Sequence, residues 1–313
     1  MKPVLMHQVL EFAKTIRFSH TLFALPFALG AALVAEPPYP DAAALGLLVV
    51  CLVTARTAAM GFNRVADAAL DARNPRTADR AIPAGRLGRR AALGLVLASG
   101  AAFWAAAWGF FALRGNLWPG LLAPAFLIIL LGYSYTKRFT VLTHWVLGLC
   151  LGLAPVGVWI ALRGSLAPVP IFIGTGVMFW TAGFDILYAI QDAEVDRREG
   201  LKSIPARFGR EAALRVAAAS QVVTVLALAS ALWVQAGPAH RPQPVRVGQA
   251  GLGSLGALLA MAAILAVQHF RAPRATDRQL AARFFPLNAL VSILWFLGVV
   301  LDIVIGRLGQ GIS

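Results

Sequence analysis

Charge is scarce in this sequence. Asp, Glu, Lys and Arg make up 13% of its 313 residues, about half of the roughly 25% that keeps a soluble domain's surface solvated. With 59% hydrophobic residues and a mean hydropathy of +0.72, much of the surface must face something other than water. The few charges are also clustered, which leaves long runs almost free of them.

Cysteine and histidine are scarce as well. Cys51 and Cys150 lie in apolar stretches, where a thiol behaves as a small buried hydrophobe. They give neither a disulfide framework nor a metal-ligand spacing. His7, His20, His144, His240 and His269 stand singly with no HxxxH pair, so histidine is not the metal ligand. There is no GxSxG elbow and no GxxxxGK[ST] loop, which leaves a serine hydrolase or a P-loop site without support.

What the chain does have is length in its apolar runs. A spanning helix needs about 20 mostly apolar residues, and nine stretches qualify: 20–36, 42–62, 91–113, 119–135, 142–162, 168–190, 211–235, 248–269 and 285–305. The expected fold is all-α, a single polytopic membrane domain over 1–313 with nine helices around a central cavity. The first 19 residues carry Lys2, Lys14 and Arg17 among apolar residues and read as an amphipathic segment at the bilayer edge, not a cleaved signal.

The net charge of +14 follows from topology. With the N-terminus in the cytoplasm and nine alternating spans, 21 basic residues fall on the cytoplasmic side and five on the other. That asymmetry is the positive-inside rule. It predicts a multi-pass protein of the inner, cytoplasmic membrane and leaves no excess basicity that calls for a nucleic-acid partner.

Two cytoplasmic loops are long and polar, 63–90 and 192–210; the proline-rich connection at 236–247 lies on the other side. Each polar loop opens on aspartates four apart, Asp67 and Asp71, then Asp192 and Asp196, at a constant offset of 125. Downstream, IPAGRLGR (82–89) resembles IPARFGR (204–210). Four spans separate the copies, so the pattern points to a repeated four-helix unit with a ninth helix added. Two such halves would set their acidic clusters face to face across a shared cavity.

Asn63, Asp67 and Asp71 follow i, i+4, i+8 and form one stripe on a helix, as do Tyr188, Asp192 and Asp196, with Asp185 another turn back. Like charges so placed repel, the more so near a low-dielectric region, and need cations among them. Arginine is one source of these and divalent metal is the other. Asp and Asn offer oxygen, the ligand type of magnesium, which binds through one or two carboxylates plus substrate phosphates. Arg64, Arg73, Arg76, Arg80, Lys137, Arg138, Lys202 and Arg207 flank the motifs and suit the remaining phosphate charge. A diphosphate head at the mouth of an apolar cavity implies a greasy tail, and a prenyl diphosphate has both. A secondary transporter usually places its ionisable residues near the midplane; here all but Asp185 cluster at the cytoplasmic ends of helices. Arg56, inside a span and seven residues before Asn63, is costly there and reads as a cavity residue that binds substrate or, as the alternative, as half of a structural salt bridge.

The stretch from Ala55 to Gly85, ARTAAMGFNRVADAALDARNPRTADRAIPAG, closely resembles the first signature of the UbiA superfamily of intramembrane prenyltransferases. The stretch from Asp185 to Ser203, DILYAIQDAEVDRREGLKS, resembles the second. Within the superfamily the chain looks most like the 4-hydroxybenzoate polyprenyltransferases and their relatives in ubiquinone and menaquinone biosynthesis. The resemblance implies Mg2+-dependent transfer from a polyprenyl diphosphate to an aromatic ring, with a carbon–carbon bond formed. It places Asn63, Asp67 and Asp71 at one metal and diphosphate position and Asp192 and Asp196 at the other. Asp185 and Tyr188 then line the cavity, and Lys137 and Arg138 contact diphosphate or acceptor. One stretch departs from the benzoate pattern: Ile16-Arg17-Phe18-Ser19-His20-Thr21 followed by Leu25-Pro26. It is similar to relatives that prenylate a dihydroxynaphthoate, so the acceptor is 4-hydroxybenzoate or, as the alternative, 1,4-dihydroxy-6-naphthoate.

Overall fold

The structure, a computed structural model, describes residues 2–15, 23–37, 39–236 and 251–310. The departure at 16–21 and most of the connection at 236–247 lie outside them. Every regular element among the described residues is helical. In chain order these are α1 (Lys2–Thr15), α2 (Leu25–Ala35), α3 (Ala42–Ala66), α4 (Ala68–Arg73), α5 (Arg89–Arg114) and α6 (Trp118–Thr136). They continue with α7 (Thr143–Arg163), α8 (Pro168–Ala189), α9 (Ala193–Arg198), α10 (Ile204–Ala236), α11 (Leu252–Arg271) and α12 (Asp277–Gln310).

Among the described residues eight helices are long and apolar enough to cross a membrane, against nine expected stretches. The eight correspond to the expected spans from 42–62 onward. The remaining one, 20–36, is described only as α2, whose 11 residues extend about 16 Å at 1.5 Å per residue. That is well short of the ~30 Å hydrocarbon core. The physical reason is its surroundings: Phe27, Ala28, Ala31 and Ala35 are fully buried, and α2 packs on α7, α8 and α12. A helix enclosed by protein need not match the bilayer. An apolar count along the chain registers hydrophobicity and does not tell a lipid-facing helix from an internal one.

The hydrophobic core is centred on this internal helix. Phe27 packs against Trp180 of α8 and Trp295 of α12, with ring centroids 5.3 and 6.1 Å apart. Around it, α3 pairs with α5, α7 with α8, α8 with α10, and α11 with α12. Outward positions carry large apolar side chains, among them Leu97, Ile128 and Trp233, as a lipid-facing surface requires. At the end away from the acidic motifs, Arg114 pairs with Glu36 and Asp41 and donates to the Leu162 carbonyl. One guanidinium there ties together α5, the end of α2, the start of α3 and the end of α7.

Two features govern the walls of the site. The first is the α7–α8 contact, made through glycines. A Cβ at Gly148 would stand 2.1 Å from the Met178 carbonyl oxygen, and one at Gly152 would stand 2.4 Å from that of Gly174. Small residues let membrane helices approach backbone to backbone. The second is Gly209, whose φ of 80° and ψ of 175° interrupt α10. The left-handed φ suits glycine, and the kink separates Ile204–Phe208 from the long segment that follows.

Gly148→Val forces α7 and α8 apart, and overpacking of this kind costs about 1–3 kcal/mol or more. Thermal unfolding in detergent should show a lower midpoint than wild type. Gly94→Ala, at a helix position with open space around it, should unfold at or above the wild-type temperature.

Candidate active site

The acidic motifs sit where two helices break. α3 ends at Asp67, which has non-helical φ and ψ of −94° and 3°, and α4 starts one residue on. The hydrogen-bond pattern survives the break: the Asp67 N–H donates to the Asn63 carbonyl and the Asp71 N–H to that of Asp67. Asn63, Asp67 and Asp71 therefore stay in register. α8 likewise passes through a tight turn, Ile190–Asp192, into α9. Both breaks open on one cavity of about 520 Å³.

Its interior is apolar, lined by residues such as Phe103, Phe110, Phe126 and Leu130, and its mouth is polar. Asn63, Asp67, Asp71, Tyr188, Asp192 and Asp196 all line it, and so do Arg64 and Lys137. Arg56 and Asp185 line it deeper in: Arg56 stands eleven residues before Asp67 and Asp185 seven before Asp192, about 16 and 10 Å along their helices. Four sequence candidates stand outside the lining: Arg73, which pairs with Glu199, Arg207, which lies over the Phe208 ring, Arg138 and Lys202. Arg138 reaches Asp67 from one side (3.2 Å) and lies over the Tyr135 ring. The Lys202 ammonium donates to the Phe139 carbonyl (3.1 Å), while its backbone N–H donates to the Lys137 carbonyl.

Every first-motif aspartate has a basic partner, and so does Asp192. Arg80 donates to both carboxylate oxygens of Asp71, at 2.7 and 2.8 Å. Asp67 accepts from Asn63 at 3.0 Å and from Arg138, with the Lys137 ammonium 3.9 Å away. Arg76 grips Asp192 with two nitrogens and also donates to the Tyr188 hydroxyl at 3.2 Å. Asn74 adds a further bond to Asp192. The loop of the first motif thus closes directly over the second. Burial works against the charge on Arg76, but its hydrogen bond to Asp192 and the nearby negative charges outweigh that and raise its pKa. Asp196, buried, is bonded by the Ser203 hydroxyl.

Sequence reasoning did not single out Asn74, Ser203 or His144. His144 is buried, and its Nδ1 lies 2.7 Å from Asp185 Oδ2. No local signal marks it, because its partner is 41 residues away on another helix.

Among the described residues no three carboxylate, histidine or cysteine side chains form a ready-made metal cage. The donor set still fits magnesium in the form that the ion usually takes in phosphate sites, with one or two carboxylates and the rest supplied by phosphate and water. The oxygen donors are present at one mouth, and Asp67, Asp71 and Asp192 each sit beside a guanidinium that a phosphate would attract.

Residues 24–297 match the model of the UbiA prenyltransferase family. The chain belongs to that family. Among curated relatives, this UbiA-family chain is 30% identical to a 4-hydroxybenzoate octaprenyltransferase of Aeromonas hydrophila subsp. hydrophila, over 90% of the chain and 91% of the relative. It is 31% identical to the enzyme of the same name from Photobacterium profundum, over 58% of the chain and 62% of the relative. Among solved structures it is similar to a UbiA homologue from Aeropyrum pernix K1, with a TM-score of 0.77 and 31% identity over 91% of the chain and 98% of the homologue. A UbiA homologue from Archaeoglobus fulgidus, bound to GPP and Mg2+, shares the fold at a TM-score of 0.66 and 20% identity, over 92% and 99%. The chain is a multi-pass membrane prenyltransferase of this family.

Arg76→Gln leaves Asp192 with a single weak donor, and stranding a half-buried carboxylate costs about 1–3 kcal/mol. The variant should unfold at a lower temperature in detergent. The double variant Arg76→Gln/Asp192→Asn, which removes both charges, should recover most of that loss.

Proposed function

We propose that the protein transfers a polyprenyl group from a polyprenyl diphosphate to an aromatic acid, with 4-hydroxybenzoate as the acceptor. The observation that carries this reading is the convergence of two acidic motifs and their arginines on the mouth of one apolar cavity. The names of the relatives support it, as does the ligand pair GPP and Mg2+ in the A. fulgidus homologue. The segment 16–21 favours a second acceptor, 1,4-dihydroxy-6-naphthoate, for the same chemistry.

Asn63, Asp67, Asp71, Asp192 and Asp196 would hold magnesium, which supplies Lewis-acid neutralisation of the diphosphate when bound. Arg64, Arg76, Arg80 and Lys137 take the phosphate oxygens, and Tyr188 keeps Arg76 oriented through its hydroxyl. Lys202 holds the segment after Asp196 against the Lys137 backbone. Charge stabilisation at this end weakens the allylic carbon–oxygen bond, whose electron pair leaves with the diphosphate. A ring carbon of the acceptor donates the electrons of the new carbon–carbon bond. The ring proton then passes to the released diphosphate, and aromaticity returns. Apolar walls keep water from the electron-poor prenyl carbon. Arg56 binds the acceptor's carboxylate from the wall of α3.

In this reading the mouth faces the cytoplasm and the bilayer is the inner membrane, a placement that the excess of basic residues at that end supports. The two halves descend from one repeated unit. The six-residue helices α4 and α9 start and end 125 residues apart, at 68–73 and 193–198, the same offset as the aspartates.

Asp67→Ala and Asp192→Ala should each lower magnesium-dependent prenylation by about 100-fold or more while leaving a folded membrane protein. Mass spectrometry of products from a prenyl diphosphate series with each acceptor reads this. Full activity in either variant, or in excess chelator, refutes the metal role. Arg56→Ala should raise the acceptor KM about tenfold, the size of a lost charge-assisted bond, with the donor KM unchanged.

A further inference from the structure

The α7–α8 wall carries a second polar group that the diphosphate end does not use. Asp185 lies two turns deeper in the cavity than Asp192, with its side chain 27% exposed. Among the described residues its hydrogen-bond partner is His144, at 2.7 Å. His144 is 2% exposed. Its other ring nitrogen, Nε2, accepts from the backbone N–H of Ile204 at 3.3 Å. A backbone amide only donates, so Nε2 is the acceptor nitrogen and the ring proton sits on Nδ1. The imidazole donates from Nδ1 to Asp185. The carboxylate keeps its remaining lone pairs for the cavity that it lines.

Ile204 follows Ser203, the residue bonded to Asp196. The imidazole thereby spans α7, α8 and the start of α10, and joins the deep carboxylate to the loop of the second motif. Arg56 stands eleven residues before Asp67 on α3, about one turn further in than Asp185, which stands seven before Asp192. Two walls of the cavity thus offer a guanidinium and a carboxylate, about three and two turns in from the mouth. An aromatic ring with a carboxylate at one end and a hydroxyl at the other complements that pair.

Resting on the aromatic acceptor proposed above, we propose that His144 is a positioning residue for the acceptor hydroxyl. It holds Asp185 turned into the cavity, where the carboxylate accepts a hydrogen bond from that hydroxyl. A phenol that donates to a carboxylate gains phenolate character, and its adjacent ring carbon becomes a better nucleophile. His144 touches neither substrate and acts through Asp185.

The test compares wild type, His144→Ala, His144→Asn, Asp185→Asn and the double variant His144→Ala/Asp185→Asn, purified in detergent. Calorimetry measures binding of 4-hydroxybenzoate and of 4-methoxybenzoate, which lacks the hydroxyl proton, with no donor present. Wild type should prefer the hydroxyl compound by about tenfold or more, because a site built to bond a hydroxyl rejects its analogue. The preference should fall to within about threefold in His144→Ala and in Asp185→Asn, with no further fall in the double variant. His144→Asn, whose amide replaces the Nδ1 donor, should retain it. With turnover, His144→Ala should raise the acceptor KM or lower kcat while the donor KM stays put.

A purely structural role for His144 would weaken both ligands alike and leave their ratio unchanged. That result overturns the proposal, as does a preference lost in Asp185→Asn but kept in His144→Ala. If wild type shows the binding preference yet prenylates no aromatic acid, the proposed reaction fails and the role of His144 stands.

Discussion

The structure depends on one electrostatic constraint: of four aspartates brought to the edge of a low-dielectric region, three need a basic partner and the fourth, Asp196, is held by the Ser203 hydroxyl. Carboxylates this close repel one another, and burial deepens the penalty. The loops after α3 and α8 are shaped around that requirement. Arg80 folds back on Asp71, Arg138 crosses to Asp67, and Arg76 reaches over to Asp192 and Tyr188. The same contacts that remove the repulsion close the first loop on the second motif. They also gather basic groups around the space where an anionic head would sit. Neutralisation and recognition are one arrangement here.

Much of this was legible in the sequence, because its signals were local. The i, i+4 spacing of Asn63, Asp67 and Asp71 names residues on one helix face, and that face does line the cavity. The hydropathy of 42–62 or 142–162 marks a long buried or lipid-facing helix, and one is found there. The short segment around Phe27 carries the same composition but packs inside the protein, so an identical signal had a different cause. The break at Asp67 was not legible either, since nothing in its neighbours separates a helix end from a helix with one loosened turn.

Partner choice was the less legible part. That Arg76 pairs with Asp192, and not with the nearer Asp71, depends on where two loops 116 residues apart come to rest. His144 reads as an isolated histidine on an apolar helix, and its meaning comes wholly from Asp185 and Ile204. Lys202 shows the reverse, a lysine whose position in the second motif suggested the cavity and whose ammonium caps a backbone carbonyl.

The glycine contact between α7 and α8 has a mechanical consequence. A bilayer thickens, thins and bends, and helices that meet through long side chains can adjust by sliding. Gly148, Gly152 and Gly174 bring two backbones into direct contact, which leaves no layer of deformable side chains between them. The pair then tilts as one strut when the lipid changes. His144 and Asp185 sit on that strut, one on each helix, so the distance between them is insulated from the membrane around it. The opposite wall, built on α3, meets α5 through side chains, Val96 at Gly61 and Leu47 at Gly109, and so keeps between its helices the deformable layer that the α7–α8 pair lacks.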